Sequence, residues 1–252
     1  EDTDCVGERH SRTSLDLPGR QRTLLMALKE TGKPVVLVLV NGRPLTVNWE
    51  DENLPSILEM WFPNCEGGNI LAETLFGENN PSGKITVTFP KSIGQIEYNF
   101  PYKKGSHGGQ RRSGDPNGTG ISRVIGPLYS FGHGLSYTTF AYSDLSVSAS
   151  DGKGMTVTAT VTNTGKRAGG EVVQLYVRDK VSSVVTYDSV LRGFEKVFLE
   201  PGESEKVSFT LTLDDLSLVG KDLERVFEPG EFDIMIGSSS NDIRLSMTVG
   251  LQ

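Results

Sequence analysis

The run Pro34-Val35-Val36-Leu37-Val38-Leu39-Val40 carries six apolar residues after its proline with no polar residue among them. A strand that alternates buries one face, whereas one without alternation must be covered on both, as parallel strands of α/β layers are. Asn41-Gly42-Arg43-Pro44 ends the run as a turn. Before it, Pro18-Gly19 precedes a helical pattern with Leu24, Leu25 and Leu28 on one face, and Gly32 reads as its C-terminal cap. After it, Ser56 to Trp61 reads as a second short strand. Gly67-Gly68 opens a helix through Leu71 and Leu75, closed by Gly77, and Lys84 to Phe89 alternates up to Pro90. Helix, strand, strand, helix, strand predicts an α/β layered domain over residues 1–97.

Three strands are too few for such a domain. A parallel sheet buried on both faces cannot leave an apolar edge open. The expectation is an incomplete α/β sandwich domain, finished by polypeptide absent from these 252 residues. Residues 98–144 are expected to form a glycine-rich loop and interdomain connector. Within 98–124, six glycines and five basic residues stand against the single Asp115. Such a stretch reads either as a solvated connector or as a lid-like loop near a polar ligand. Asn117-Gly118-Thr119 has glycosylation spacing, which matters only in a eukaryotic secreted context.

Residues 145–252 change period. Met155, Val157, Ala159 and Val161 alternate, and so do Val173/Leu175/Val177, Val207/Phe209/Leu211, Phe232/Ile234/Ile236 and Ile243/Leu245/Met247/Val249. Turns at Asn163-Thr164-Gly165, Glu200-Pro201-Gly202 and Glu228-Pro229-Gly230 separate them. About seven short strands at this spacing predict an all-β immunoglobulin or fibronectin-III-like sandwich. There is no Cys…Trp…Cys signature of an antibody-type domain.

Composition removes several function classes. A formal charge of −7 argues against a general nucleic-acid binder, and no apolar run reaches the ~20 residues of a membrane helix. Cys5 and Cys65 match neither a disulfide framework nor a metal-ligand spacing, and His10, His107 and His133 are scattered, so no cofactor or metal site is expected. No Gly-x-Ser-x-Gly elbow supplies a nucleophile. Phe131-Gly132-His133-Gly134 has no helical pattern after it to aim amides at a phosphate, and reads as a tight interdomain turn. Carboxylates remain. Glu8, in Val6-Gly7-Glu8-Arg9-His10-Ser11-Arg12, sits in a loop after a strand, where ligand sites of open α/β sheets gather. Position alone does not separate it from a surface residue or a helix-cap partner.

An ordered set of segments resembles the C-terminal part of glycoside hydrolase family 3 enzymes of the β-glucosidase/β-xylosidase type. The set comprises Gly7-Glu8 through Arg12 with Leu15-Asp16-Leu17-Pro18-Gly19-Arg20-Gln21, Gly32-Lys33-Pro34 with Asn41-Gly42-Arg43-Pro44, and Glu59-Met60-Trp61-Phe62-Pro63 with Glu66-Gly67-Gly68. Leu75 to Lys84, Thr88-Phe89-Pro90 and Leu128 to Phe140 follow. The second half is similar to the fibronectin type III-like domain of such enzymes through Val161 to Gly165, Glu171 to Tyr176, Leu191 to Lys196 and Pro201-Gly202-Glu203. Two departures are Pro63-Asn64-Cys65, in place of a more usual Pro-Gly turn, and the absence of a proline near Gln95-Ile96-Glu97.

The resemblance implies a retaining exo-acting β-glycosidase that removes terminal β-linked glucose or xylose from oligosaccharides or glycosides, in a periplasmic or secreted setting. It implies an aspartate nucleophile on an N-terminal (β/α)8 barrel, absent from this chain, and makes Glu8 the general acid/base; Glu1 is a second candidate. The fragment alone is then expected to be inactive. A general acid needs a raised pKa; Arg9, His10 and Arg12 would oppose this if they faced Glu8, and the nucleophile would favour it. The alternative is a non-catalytic carbohydrate-associated module, with Tyr176, Tyr187 and Phe194 as its candidate aromatic platform.

Overall fold

The computed structural model describes residues 7–8, 10–95, 99–103, 126–150 and 154–252. The first part begins with α1 (Gln21–Glu30), which buries only Leu25; Leu24 and Leu28 of the expected apolar face are exposed. Gly32 ends it at φ +71°, its N–H donating to Lys29 O at 3.0 Å. The apolar run then forms β1 (Val36–Leu39). A helix without an apolar period, α2 (Asn48–Asn53), follows. Next come β2 (Ser56–Glu59), parallel to β1 with Val36 opposite Ser56, and α3 (Gly67–Phe76). Gly77, left-handed at φ +80°, stops α3 as its pattern predicts. Leu39, Leu45 and Val47 are the small buried core of this part. Val36 and Val40 stay exposed, so β1 has one paired edge and one open edge among the described residues.

Lys84 to Phe89 is not a ladder strand, contrary to its alternation. It is extended but irregular, and its backbone bonds go to a neighbouring segment at separate points: Ile85 N–H to His133 O, Gly132 N–H to Ile85 O, and Phe89 N–H to Tyr129 O, all at 2.8–2.9 Å. With two anchor points and a bend between them, period two survives in the sequence without a strand partner.

The second part is a sandwich. β3 (Phe140–Ser150), β4 (Gly154–Asn163) and β7 (Ser204–Thr212) make a three-stranded sheet in the order β3-β4-β7. β5 (Gly169–Asp179), β6 (Val190–Leu199), β10 (Gly230–Ser239) and β11 (Asp242–Leu251) make a four-stranded one in the order β11-β10-β5-β6. The short pair β8 (Leu218–Val219) and β9 (Arg225–Val226) lies outside both. The alternating residues of β4, β5, β7 and β10 fill the space between the sheets, with Val157, Ala159, Val161, Val173, Leu175, Ile234 and Ile236 fully buried. Met247 of the edge strand β11 is instead exposed.

β5 is buried on its outer face as well, because the first part docks there. Gln174 Nε2 donates to Gly132 O (3.2 Å) and Ser238 O (2.6 Å), while Tyr176 OH donates to Gln174 Oε1 (2.5 Å). Phe100 stacks on Phe131 at 4.8 Å and meets Tyr176 edge-on at 5.6 Å. Ser240 N–H donates to Phe131 O at 2.9 Å. Gly132, at φ +81°, fits because a Cβ there would stand 2.0 Å from Gln174 Oε1. A buried ionic contact lies beside this. Lys84 Nζ reaches Glu171 Oε2 (3.3 Å) and donates to Gly134 O (2.9 Å), and Tyr142 OH donates to Glu171 Oε1 (2.7 Å).

Candidate active site

The C-terminal ends of β1 and β2 and the loop of Glu8 form one connected region. Gly7, at φ +115°, opens a tight bend in which His10 N–H donates to Gly7 O at 3.2 Å, and Glu8 stands exposed on it. A guanidinium nitrogen of Arg43, in the turn after β1, donates to His10 O at 3.4 Å. Farther along, Thr46 N–H donates to Leu15 O at 2.9 Å and Thr46 Oγ1 to Asp16 Oδ1 at 2.5 Å, so the loop runs alongside the segment that follows β1.

That segment is itself fixed from below. Glu50 of α2 is fully buried, and Arg22 of α1 meets both its oxygens, with Nε to Oε1 at 2.8 Å and a terminal nitrogen to Oε2 at 3.2 Å. Arg22 also donates to Thr46 O at 3.2 Å. The hydrogen bond with Glu50 holds the guanidinium above its ordinary pKa. A paired, hydrogen-bonded charge is the form in which a fully buried carboxylate is tolerated.

Beyond the last ladder residue, Met60 N–H donates to Leu39 O at 3.0 Å, and the chain then turns sharply at Trp61, φ +50°. Glu59 Oε1 accepts the Trp61 N–H at 2.8 Å. Burial pushes the Glu59 carboxyl up to about 7, against the hydrogen bonds from Trp61, Asn41 and Met60. The Trp61 ring leans on buried Phe89, 6.0 Å between centroids, and Phe89 on Tyr129 at 5.7 Å. Tyr129 OH donates to Asp51 Oδ1 at 2.6 Å and its ring stacks on His133. Burial, and secondarily the charge of Lys84, holds His133 below its ordinary pKa.

A carboxylate-bearing loop tied to the strand ends of a parallel pair is the arrangement in which α/β sheets hold ligands. The sequence profile described as the glycosyl hydrolase family 3 C-terminal domain matches residues 1–137, and a fibronectin type III-like domain matches residues 171–240. The chain belongs to glycosyl hydrolase family 3. This family 3 chain is 45% identical over 253 residues to a β-xylosidase of Formosa agariphila, covering 96% of this chain and 34% of the relative. It is 43% identical over 242 residues to a periplasmic β-glucosidase of Salmonella typhimurium, covering 94% of this chain and 32% of that protein. The crystal structure of a β-glucosidase from Listeria innocua in complex with isofagomine superposes with a TM-score of 0.88 at 35% identity, over 99% of this chain and 35% of that one. The family 3 chain thus spans about a third of the length of the curated relatives it matches.

Of the residues singled out in the sequence, Glu8 is described; Glu1, Cys5, Arg9 and residues 104–125 lie outside the described residues. Cys65 is exposed just before α3. Among the described residues no three His, Cys, Asp or Glu side chains come together as a metal site, and no helix is long and apolar enough to cross a membrane. Of the three aromatics named for the carbohydrate-associated alternative, one is core, as strand alternation allows. Tyr176 is buried in the interface, while Phe194 is exposed on β6 with Phe198 and Tyr187 lies half-exposed. Sequence reasoning did not single out Glu59, the last residue of β2, as a carboxyl with a raised pKa, because nothing in the local pattern marks it.

Proposed function

We propose that this chain is the acid/base-bearing part of a retaining, exo-acting β-glycosidase that releases terminal β-linked glucose or xylose from oligosaccharides or glycosides. The observation that supports the reading is Glu8, exposed on a bend that Arg43 ties to the end of β1, ahead of Leu17-Pro18-Gly19, the position the family resemblance implies for the proton donor. Glu8 protonates the leaving oxygen as the nucleophile attacks the anomeric carbon, then takes a proton from water to release the sugar from the enzyme. This chemistry needs a second carboxylate ~5–5.5 Å away. An aspartate on a (β/α)8 barrel outside these 252 residues supplies it, so the fragment alone has no turnover. The names of the relatives, β-xylosidase and β-glucosidase, support the substrate class, and that of the Salmonella protein supports a periplasmic or secreted location.

The test is Glu8→Gln in the full-length enzyme. Glutamine keeps the shape and removes the acid. Activity is expected to fall by roughly 10²–10⁴-fold on glycosides with poor leaving groups. It should fall much less on aryl glycosides with good ones, with partial rescue by azide. Equal loss across the leaving-group series would reject Glu8 as the acid.

A further inference from the structure

Glu8, His10, Ser11, Thr13, Ser14 and Asp16 are all exposed, so hydrogen bonds rather than packing fix the place of the loop they form. Those bonds reach one short segment after β1 at two points. Arg43 donates to His10 O at 3.4 Å. Three residues later Thr46 bonds twice, through its N–H to Leu15 O (2.9 Å) and through Oγ1 to Asp16 Oδ1 (2.5 Å). Within the loop, Arg12 donates to Asp16 O at 2.5 Å and the Asp16 N–H to Ser14 Oγ at 3.1 Å, so Asp16 gathers residues 12–16 into one unit. The two sides of this contact differ in what stands behind them. Thr46 is 5% exposed, between the core residues Leu45 and Val47, and its carbonyl accepts from Arg22 at 3.2 Å. Arg22 is held in turn by both oxygens of the fully buried Glu50. The Glu50 carboxylate cannot part from Arg22 without being left unpaired in a poor solvent, so the pair keeps Thr46 in one place.

We infer that the Thr46 hydroxyl is the latch of the acid/base loop: its bond to Asp16 carries the fixed geometry of the Arg22–Glu50 pair to the exposed segment that bears Glu8. Thr46 and Asp16 are positioning residues for the proton donor, and this functional part of the inference rests on the reading of Glu8 as that donor.

The experiment compares Thr46→Val and Thr46→Ser in the full-length enzyme. Valine keeps the branched shape and deletes the hydroxyl, whereas serine keeps the hydroxyl. The backbone bond to Leu15 O is open to both variants, so the comparison isolates the side-chain bond. Asp16 is exposed and water can replace its lost donor, so Thr46→Val is expected to fold, with a Tm within about 3 °C of wild type. Misplacing a catalytic group by about 1 Å costs up to about 10²-fold. Thr46→Val is therefore expected to lose roughly 10- to 100-fold in kcat/KM on alkyl glycosides, whose departure needs the proton, and at most about threefold on activated aryl glycosides. Thr46→Ser is expected to stay within about threefold of wild type on both. A Thr46→Val enzyme with no loss, a loss equal across leaving groups, or a Thr46→Ser loss as severe overturns the positioning role. The latch is tested without activity by hydrogen exchange. Peptides covering residues 10–17 are expected to exchange faster in Thr46→Val and at the wild-type rate in Thr46→Ser; wild-type exchange in Thr46→Val overturns the latch. Should Glu8→Gln show no leaving-group dependence, the acid/base reading fails and the positioning role with it, while the exchange experiment still decides whether Thr46 anchors the loop.

Discussion

Replacing Lys84 by methionine strips the cation from a carboxylate that the protein has taken almost wholly out of water. Glu171 is 4% exposed, and the Lys84 side chain 10%. Removing one partner of a buried pair typically costs ~3–5 kcal/mol, because the remaining charge is left in a poor solvent. The low end, about 3 kcal/mol, applies here, since Tyr142 OH still donates to Glu171 Oε1. For a chain of this size that amounts to a drop in Tm of roughly 6–12 °C. The companion variant Lys84→Met/Glu171→Gln leaves no charge behind, and the glutamine oxygen still accepts from Tyr142. It is expected to recover to within ~1 kcal/mol of wild type. Thermal melts followed by far-ultraviolet circular dichroism measure both. A single variant melting within about 2 °C of wild type, or a double variant no better than the single, refutes the argument that a desolvated charge sets the cost.

Arg22→Met should destabilise by about 3 kcal/mol in denaturant titration, as it orphans the fully buried Glu50. Gly132→Ala should cost roughly 2–4 kcal/mol in the same assay, from left-handed strain and the clash with Gln174. His133 is held below its ordinary value, so the unfolded chain binds that proton more readily and stability falls as pH drops below about 6.5. His133→Phe keeps the ring against Tyr129 and should flatten this part of the stability–pH curve, as Tm measured at several pH values would show.

The parts of the fold legible in sequence are those where period and partner coincide. β1, with its unbroken apolar run, pairs as a parallel strand should, and the sandwich strands bury the residues that alternate. Lys84 to Phe89 misleads because alternation records which side chains are covered, not whether the backbone has a strand to bond. Asn48 to Asn53 gives no helical signal, since its six residues hold one aromatic and no apolar period; Arg22, twenty-eight positions from Glu50, anchors it. Glu8 is visible only through its register before Leu17-Pro18-Gly19. Glu59 carries no local pattern, because its surroundings are created by the lateral pairing of β2 with β1, where it stands opposite Leu39. Exposed Leu24, Leu28 and Val36 belong to the same lesson, as apolar positions patterned for a surface that these residues do not themselves supply.

The interface on the outer face of β5 also orders events during synthesis. Chains emerge N-terminus first, yet the loop at Phe131 and Gly132 gains its bonds from Gln174, whose amide also donates to Ser238 O, and from Ser240, more than a hundred positions downstream. The contacts from Ile85 and Phe89 to that loop are therefore made against an unsupported partner until the last two strands of the sandwich have emerged. A ribosome-bound chain ending at residue 230 would already hold most of the sandwich sequence and still lack Ser240, whose N–H fastens the loop at Phe131, and Ser238, whose carbonyl steadies Gln174.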